Sequence, residues 1–341
     1  MNDQQNFSTI QPLTDKPDIS TILELLNILT FLPLLIIING LISNSISFFI
    51  FKFNKEVNKM PNMVVYSFIC ITDTLSLFIW NFNNFLTPHF GIVIENINIY
   101  SCRIFLFLQY FSLQSSELLV TYTTIDRYIK VTSAPGSMMS RLPFGTVKAA
   151  RNWSLIILGI VAILNSFLIF CDRWMIIEYK QDQSNPNRTI KTESVDCYTL
   201  SNGSPITPLW DYVHLFLYSL IPFFCMITLN LLLLKKAYMN STSRHLNKAR
   251  KQVLNILIAS FLFLMLTLPS SIFYIISENI QPTILTTFLL LSFQISLFFN
   301  HTLVFFKCYF SNIKLRKLVN QICKDSFVKF KKPIKHTSYR F

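Results

Sequence analysis

The sequence predicts an all-α fold, a seven-transmembrane helix bundle with a short amphipathic eighth helix. Three observations predict it. The 341 residues are 52% hydrophobic and only 14% charged, against about 25% charged in an average soluble domain. Seven apolar stretches each approach the ~20 residues that a helix needs to cross hydrocarbon. Lys and Arg gather in alternate connections between those stretches and in the C-terminal tail, as membrane orientation requires.

The stretches cover 23–51, 62–86, 101–131, 151–173, 209–235, 253–277 and 283–308. Their length favours helices, because barrel strands need only ~9–11 residues and alternate apolar with polar. Residues 1–22 form an outer N-terminal segment, 23–310 the bundle, and 311–341 an inner amphipathic helix and basic tail. With the N-terminus outside, the outer face keeps only Lys16, Arg103, Arg173, Lys180, Arg188 and Lys191 of the 30 basic residues. The expected location is therefore the plasma membrane, N-terminus out and C-terminus in. The net charge of +13 does not point to nucleic acid, since the basic residues line short inner loops rather than a soluble face. No cationic segment precedes the first apolar run, so no cleaved signal peptide is predicted.

Asn6, Asn187 and Asn202 each begin a glycosylation sequon, and all three fall on the predicted outer side. Asn152, Asn240 and Asn300 begin sequons too, but inside or within the membrane, so the motif alone is weak. After Ser311, Ile313, Leu315, Leu318, Val319 and Ile322 alternate with Lys314, Arg316, Lys317 and Lys324. That pattern reads as a helix lying on the anionic inner leaflet, in contact with membrane lipids. Cys323 is a palmitoylation candidate; a free buried thiol fits it equally well.

The chemistry concentrates on the third stretch. Cys102 opens it, and Asp126-Arg127-Tyr128 lies near its other end, about 37 Å away at ~1.5 Å per residue. A cysteine thus marks the outer end and an acid–base pair the inner end. Cys197 lies in the second outer connection, and the oxidising outer side permits a Cys102–Cys197 disulfide. Cys171, near the outer end of the fourth stretch, is the competing partner.

Taken together, these residues resemble the rhodopsin-like, class A G-protein-coupled receptors over nearly the whole chain, with a general look similar to invertebrate neuropeptide receptors. Asn44, Asp73, Cys102, Asp126-Arg127-Tyr128, Trp153, Pro222, Phe263 and Pro269 match the family's marks in order along the first six helices. Three departures stand out. Thr267 replaces the usual Trp two residues before the helix-six proline. Val304-Phe305-Phe306-Lys307-Cys308 stands where the helix-seven motif is expected. Asn230 replaces the lower helix-five Tyr.

The resemblance implies a sodium ion with Asp73, Ser116 and Asn300 converging on it. A carboxylate with neutral oxygens suits a hard cation. The alternative is a protonated Asp73 hydrogen-bonded to Asn44 and Asn300. Glu117 is a second buried acid with no assigned role. The resemblance also implies that Asp126 restrains Arg127, and that release of Arg127 opens a cleft for a heterotrimeric G protein. A plain interfacial ion pair is the structural alternative.

The expected ligand cavity in the outer half draws on Trp80, Asn84, Gln109, Tyr110, His214, Tyr274 and Gln294, with Ser277 and Glu278 nearby. Gln109 stands where amine receptors carry an Asp, which argues against biogenic amines. No lysine lies in the upper seventh helix, which argues against retinal. A peptide is the expected ligand, met in part by the acidic and polar connection 174–208; a glycosylated cap is the alternative role for that segment. Two rival classes remain: a chemosensory or receptor-like protein with weak or absent G-protein coupling, and a transporter. The transporter reading lacks the repeats and Gly-rich broken helices it would need. No metal-spaced set and no nucleophile–base pair survives the membrane placement, so no enzyme is expected.

Overall fold

The computed structural model describes residues 19–133, 146–170, 173–182, 185–206, 209–239, 261–263, 265–276, 280, 283–311 and 315–321. Asn6, Ser277, Glu278, Cys171 and Cys323 lie outside the described residues, and the side chain of Asn187 does too.

Helices dominate. In chain order they are α1 (Ile19–Leu29), α2 (Leu32–Phe53), α3 (Pro61–Ile79), α4 (Asn81–Phe90), α5 (Ile99–Thr132), α6 (Val147–Asn165), α7 (Phe167–Phe170), α8 (Leu209–Leu215) and α9 (Ile221–Met239), then α10 (Ile284–His301) and α11 (Val304–Ser311). Residues 261–263 and 265–276 are helical between α9 and α10. Five helical runs are long and apolar enough to cross a membrane: Leu23–Phe53, Pro61–Phe90, Val147–Phe170, Leu209–Lys236 and Ile284–His301. Many of their large apolar side chains face outward, among them Phe49, Phe53, Ile163 and Phe170. An apolar belt of that kind is stable against lipid tails and costly against water.

Local chemistry sets the helix ends. Pro61 opens α3 with its fixed φ and missing donor. Asn98 caps α5 by accepting from the backbone N–H groups of Tyr100 and Ser101, and the Ser101 hydroxyl accepts from the Asn98 N–H, a reciprocal capping box. Thr283 and Thr286 do the same for α10. Gly91 ends α4 at φ 65°, a left-handed turn that suits glycine. Just before Pro222, residues Phe216–Leu220 widen into a π turn. Pro222 has no N–H to offer, and its ring would strike the carbonyl of Tyr218 in a regular helix, so the backbone opens there.

Three runs differ from the sequence expectation. The first is split at Thr30–Phe31, and the last is split at Thr302–Leu303 rather than continuing to residue 308. The fourth ends at Phe170, and the chain then enters an antiparallel hairpin, β1 (Arg173–Asp182) with β2 (Asn185–Leu200). A fully helical fold is therefore corrected: the connection between α7 and α8 contains a two-stranded sheet. Ile176, Ile177 and Tyr179 on one strand, with Thr189, Ile190 and Thr192 on the other, are the β-branched and aromatic residues that favour strands.

The 34-residue α5 is the axis. It is too polar to count among the five apolar runs, yet Gln109, Ser112, Gln114, Ser115, Ser116, Glu117, Thr121 and Thr124 are all buried. It packs against α3, α6, α7 and α9, so its polar groups face helices rather than lipid. The inner core joins Phe51, Met63, Tyr66, Ile69, Leu119, Val304 and Cys308, and takes Leu315 from the helical residues 315–321. Above it, Ile36, Leu77, Leu113, Tyr218, Leu297 and Phe298 form a second layer.

Gly40 of α2 lies against Leu77 of α3. A Cβ there would overlap Leu77 Cδ1 and lie 3.2 Å from Thr302 Cγ2. Gly40→Val is expected to lose about 1–3 kcal/mol of stability through overpacking, read as a lower thermal-unfolding midpoint in detergent. An unchanged midpoint would mean that the two helices separate freely.

Candidate functional site

Two chemical features occupy the bundle: a buried polar knot on α3, α5, the π turn before α9, and α10, and a cavity above it.

Asp73 is the centre of the knot and is wholly buried. Its Oδ1 accepts hydrogen bonds from the Ser116 hydroxyl and from His301 Nδ1, the latter at 2.8 Å. With the carboxylate accepting, Nδ1 carries the imidazole proton and Nε2 accepts from the Tyr218 hydroxyl at 3.0 Å. Three elements far apart in sequence therefore meet at one carboxylate. Asn44 and Ser43 on α2 donate to the carbonyls of His301 and Thr302, at 3.2 and 3.1 Å. Those carbonyls belong to the frayed end of α10 and lack helical partners, so α2 supplies what the helix end needs.

Neither expected arrangement of the polar core is found. Ser116 does reach Asp73, but the Asn300 amide turns to Glu117 Oε1 at 3.4 Å and the Asn44 amide to the His301 carbonyl. His301 occupies the side of Asp73 that the sequence reading gave to Asn300. The resemblance had implied its neighbour in sequence, Asn300, for that place. Asp73 Oδ2, Glu117 Oε2 and Asn44 Oδ1 remain buried without a hydrogen-bond partner among the described residues. Hard oxygens of this kind are what a small cation takes, so the residues fit an ion by chemistry although the expected trio is not assembled.

A second polar chain runs toward α6 and the outer half. The Asn165 amide donates to Gln114 Oε1 at 2.7 Å, and the Gln114 amide to His214 Nδ1 at 3.3 Å. The His214 ring stacks on Tyr218, centroids 5.1 Å apart and 5° from parallel. Buried polar groups therefore form a thread from Asn165 through His214 and Tyr218 to Asp73. Asn165, Gln114 and Tyr218 were not singled out in the sequence because each looks like an isolated polar residue in an apolar run.

The cavity holds about 470 Å³. Trp80, Asn84, Gln109, Tyr274 and Gln294 all line it, with Asn83, Glu95, Tyr198 and Thr287. Trp80 sits at the break between α3 and α4, which turns its ring inward against Tyr274, edge to face at 6.0 Å. His214 lies below, on a smaller hollow of about 40 Å³ shared with Trp80 and Tyr274. Tyr110 lines neither space; it is buried behind them and donates to Asp211 Oδ1 at 2.9 Å. The lid comes from β2. Cys197 is bonded to Cys102 with Cα atoms 5.6 Å apart, within the range such bonds need. This is the pairing favoured in the sequence over Cys171. It brings the next residue, Tyr198, over the cavity, where burial, then the nearby Glu95 carboxylate, raise its phenol pKa above the ordinary value.

At the other end of α5, Asp126 does not pair with Arg127. Its Oδ2 accepts from Lys130 Nζ at 2.5 Å, and Lys130 also reaches Asn62 at 3.2 Å. One helical turn separates 126 from 130, which places the two side chains on one face, whereas 126 and 127 point apart. Arg127 is half-buried. Lys236 of α9 donates to the Thr132 carbonyl at 2.7 Å, a cation at a helix C-terminus. Tyr128 is half-buried in the same turn. In the helical residues 261–263 and 265–276 Phe263 is buried, and Thr267 Oγ1 donates to its carbonyl at 2.8 Å, two residues before Pro269. Asn202 is exposed in the turn after β2. No protein-family model matches the chain, and no curated protein matches it.

Proposed function

We propose that the chain is a seven-helix receptor of the class A kind, which passes the binding of an extracellular peptide to a cytoplasmic heterotrimeric G protein. The observation that carries the reading is the continuity of α5. Its outer end is tied by Cys102–Cys197 to the lid of a cavity, its middle holds Ser116 on Asp73, and its far end bears Asp126-Arg127-Tyr128. A ligand that shifts Trp80 or Tyr274 pushes on Phe298, which packs against both Trp80 and His301. His301 is hydrogen-bonded to Asp73, so a shift there disturbs the knot around α5.

In this reading the third apolar span is α5, the sixth includes Phe261–Ile276, and residues 315–321 begin the amphipathic eighth helix on the inner leaflet. The outer face carries the sugars at Asn6, Asn187 and Asn202, and Cys323 takes a lipid. Asp73, with the unpartnered oxygens of Asn44 and Glu117 as further candidates, would hold a sodium ion if one binds, and the ion would supply positive charge to the buried carboxylate. The plasma membrane is the site of action.

A second reading, a receptor-like protein with weak G-protein coupling, is favoured by the Asp126–Lys130 pair and by Thr267 and Asn230 where the family carries Trp and Tyr. One experiment separates the two. The full chain is expressed in cells, challenged with pools of a synthetic peptide library, and nucleotide exchange is measured on a panel of G proteins. At least one pool is expected to raise exchange, and Arg127→Ala to cut that response about 5- to 150-fold, the range of ordinary coupling energies. Exchange that no pool stimulates favours the second reading. A response indifferent to Arg127→Ala removes the switch role.

A further inference from the structure

The cavity has one charged residue on its wall and it is an acid. Among the described residues its lining contains Glu95 and no lysine or arginine. Glu95 belongs to the 3-10 turn Ile94–Asn96 that leads into α5, and it is aimed by Asn83. The Asn83 side-chain oxygen accepts from the Ile94 backbone N–H at 3.1 Å, and its amide donates to Glu95 Oε2. The carboxylate is thereby held in one orientation, with Oε1 bonded to no described residue. Around it stand three rings, Trp80, Tyr198 and Tyr274, and neutral amides at Asn84, Gln109 and Gln294.

Physical chemistry gives this combination a preferred guest. An uncompensated carboxylate at a pocket with apolar walls focuses a negative potential into the pocket. Ring faces attract cations. A guanidinium is planar, weakly hydrated and stacks on rings, whereas an ammonium is compact and holds its water tightly. Gln109 had removed the helix-three acid that would bind a cation; the structure supplies an acid from the neighbouring turn instead.

We infer that the cavity binds a guanidinium group, the side chain of an arginine in the ligand, with Glu95 as its counter-ion and Trp80, Tyr198 and Tyr274 as its walls. The inference rests on the receptor reading and specifies its ligand. Asn83 is a positioning residue that keeps the carboxylate turned to the cavity.

The test needs no knowledge of the natural ligand. Thr287 lines the cavity, and Thr287→Cys places a thiol there. Intact cells expressing that full-length variant are treated with a neutral, membrane-impermeant poly(ethylene glycol) maleimide, and labelling of residue 287 is read by peptide mass spectrometry. Phenylguanidinium and phenylurea, which share a shape and differ in charge, are the protecting probes. Phenylguanidinium is expected to protect at about tenfold lower concentration than phenylurea, the tenfold that roughly 1.4 kcal/mol of charge pairing gives. Glu95→Gln is expected to bring the two probes to equal potency, and Glu95→Asp to keep the preference. Equal protection by both probes, protection by neither, or a preference that survives Glu95→Gln overturns the inference and leaves the receptor reading standing. A residue 287 that cannot be labelled from outside overturns both.

Discussion

His301→Leu is expected to destabilise the folded chain by about 3–5 kcal/mol, the usual cost of removing one partner from a buried charge-bearing pair. The imidazole is wholly buried and holds two groups at once, Asp73 Oδ1 on one nitrogen and the Tyr218 hydroxyl on the other. Leucine leaves the carboxylate with Ser116 as its remaining hydrogen-bond donor, and leaves the tyrosine hydroxyl without its acceptor. Asp73→Asn is expected to cost less, about 1–3 kcal/mol, because an amide oxygen still accepts from Ser116 and His301. The double change Asp73→Leu with His301→Leu is expected to recover much of the loss of His301→Leu, since apolar replacement of both members removes the desolvation burden. Thermal unfolding in detergent of the unchanged chain, Asp73→Leu, His301→Leu and the double variant measures all four states of the cycle. If the two single costs simply add in the double variant, Asp73 and His301 act independently and the proposed knot is not a unit.

Cys197→Ser is expected to lower stability by about 2–4 kcal/mol and to open the cavity. The bond closes a loop of 95 residues in sequence, and cross-links of such loops remove chain entropy from the unfolded state. Its local consequence is larger than its global one. Tyr198 is held over the cavity through its covalent neighbour, so the freed hairpin carries Tyr198 away from Gln109 and Glu95. Cys102→Ser, Cys197→Ser and the double variant are expected to show equal losses in thermal midpoint, and a reducing agent to bring the unchanged protein down to the same value. A double variant less stable than either single one would show that the thiols have separate partners. The same variants are expected to lose the protection of Thr287→Cys by phenylguanidinium, because one of the three walls is gone.

How much of this was legible beforehand depends on the length scale of each property. Helical membrane runs are a matter of composition over ~20 residues, and Leu23–Phe53, Pro61–Phe90, Val147–Phe170 and Leu209–Lys236 all lie close to stretches read directly from the chain. Cys102 and Cys197 were paired because only one compartment oxidises thiols. Their placement at the mouth of the bundle then put Trp80, Asn84, Gln109, Tyr274 and Gln294 on one wall. The errors have common causes. The hairpin over 173–200 was read as a loop, because its polar alternation carries no hydrophobic period strong enough to name a strand. Asp126 was given to Arg127 because the two are adjacent, although helix geometry turns adjacent side chains apart and brings 126 to 130. Asn300 was given to Asp73 by the resemblance, whereas the contact falls to the next residue, His301, and Asn300 turns to Glu117.

The order of apolar and polar residues by itself determined that this chain is mostly helical and that several of its helices suit a bilayer. These are decided locally, by the solvent each segment must satisfy. Only the tertiary structure decided that His301 and Asp73, 228 residues apart, share a hydrogen bond, that Asn83 is hydrogen-bonded to Glu95 at the cavity wall, and that Lys130 takes Asp126. Such contacts depend on the rotation and tilt of whole helices about their axes. A helix tolerates many rotations at nearly equal local energy, and packing against the others selects one.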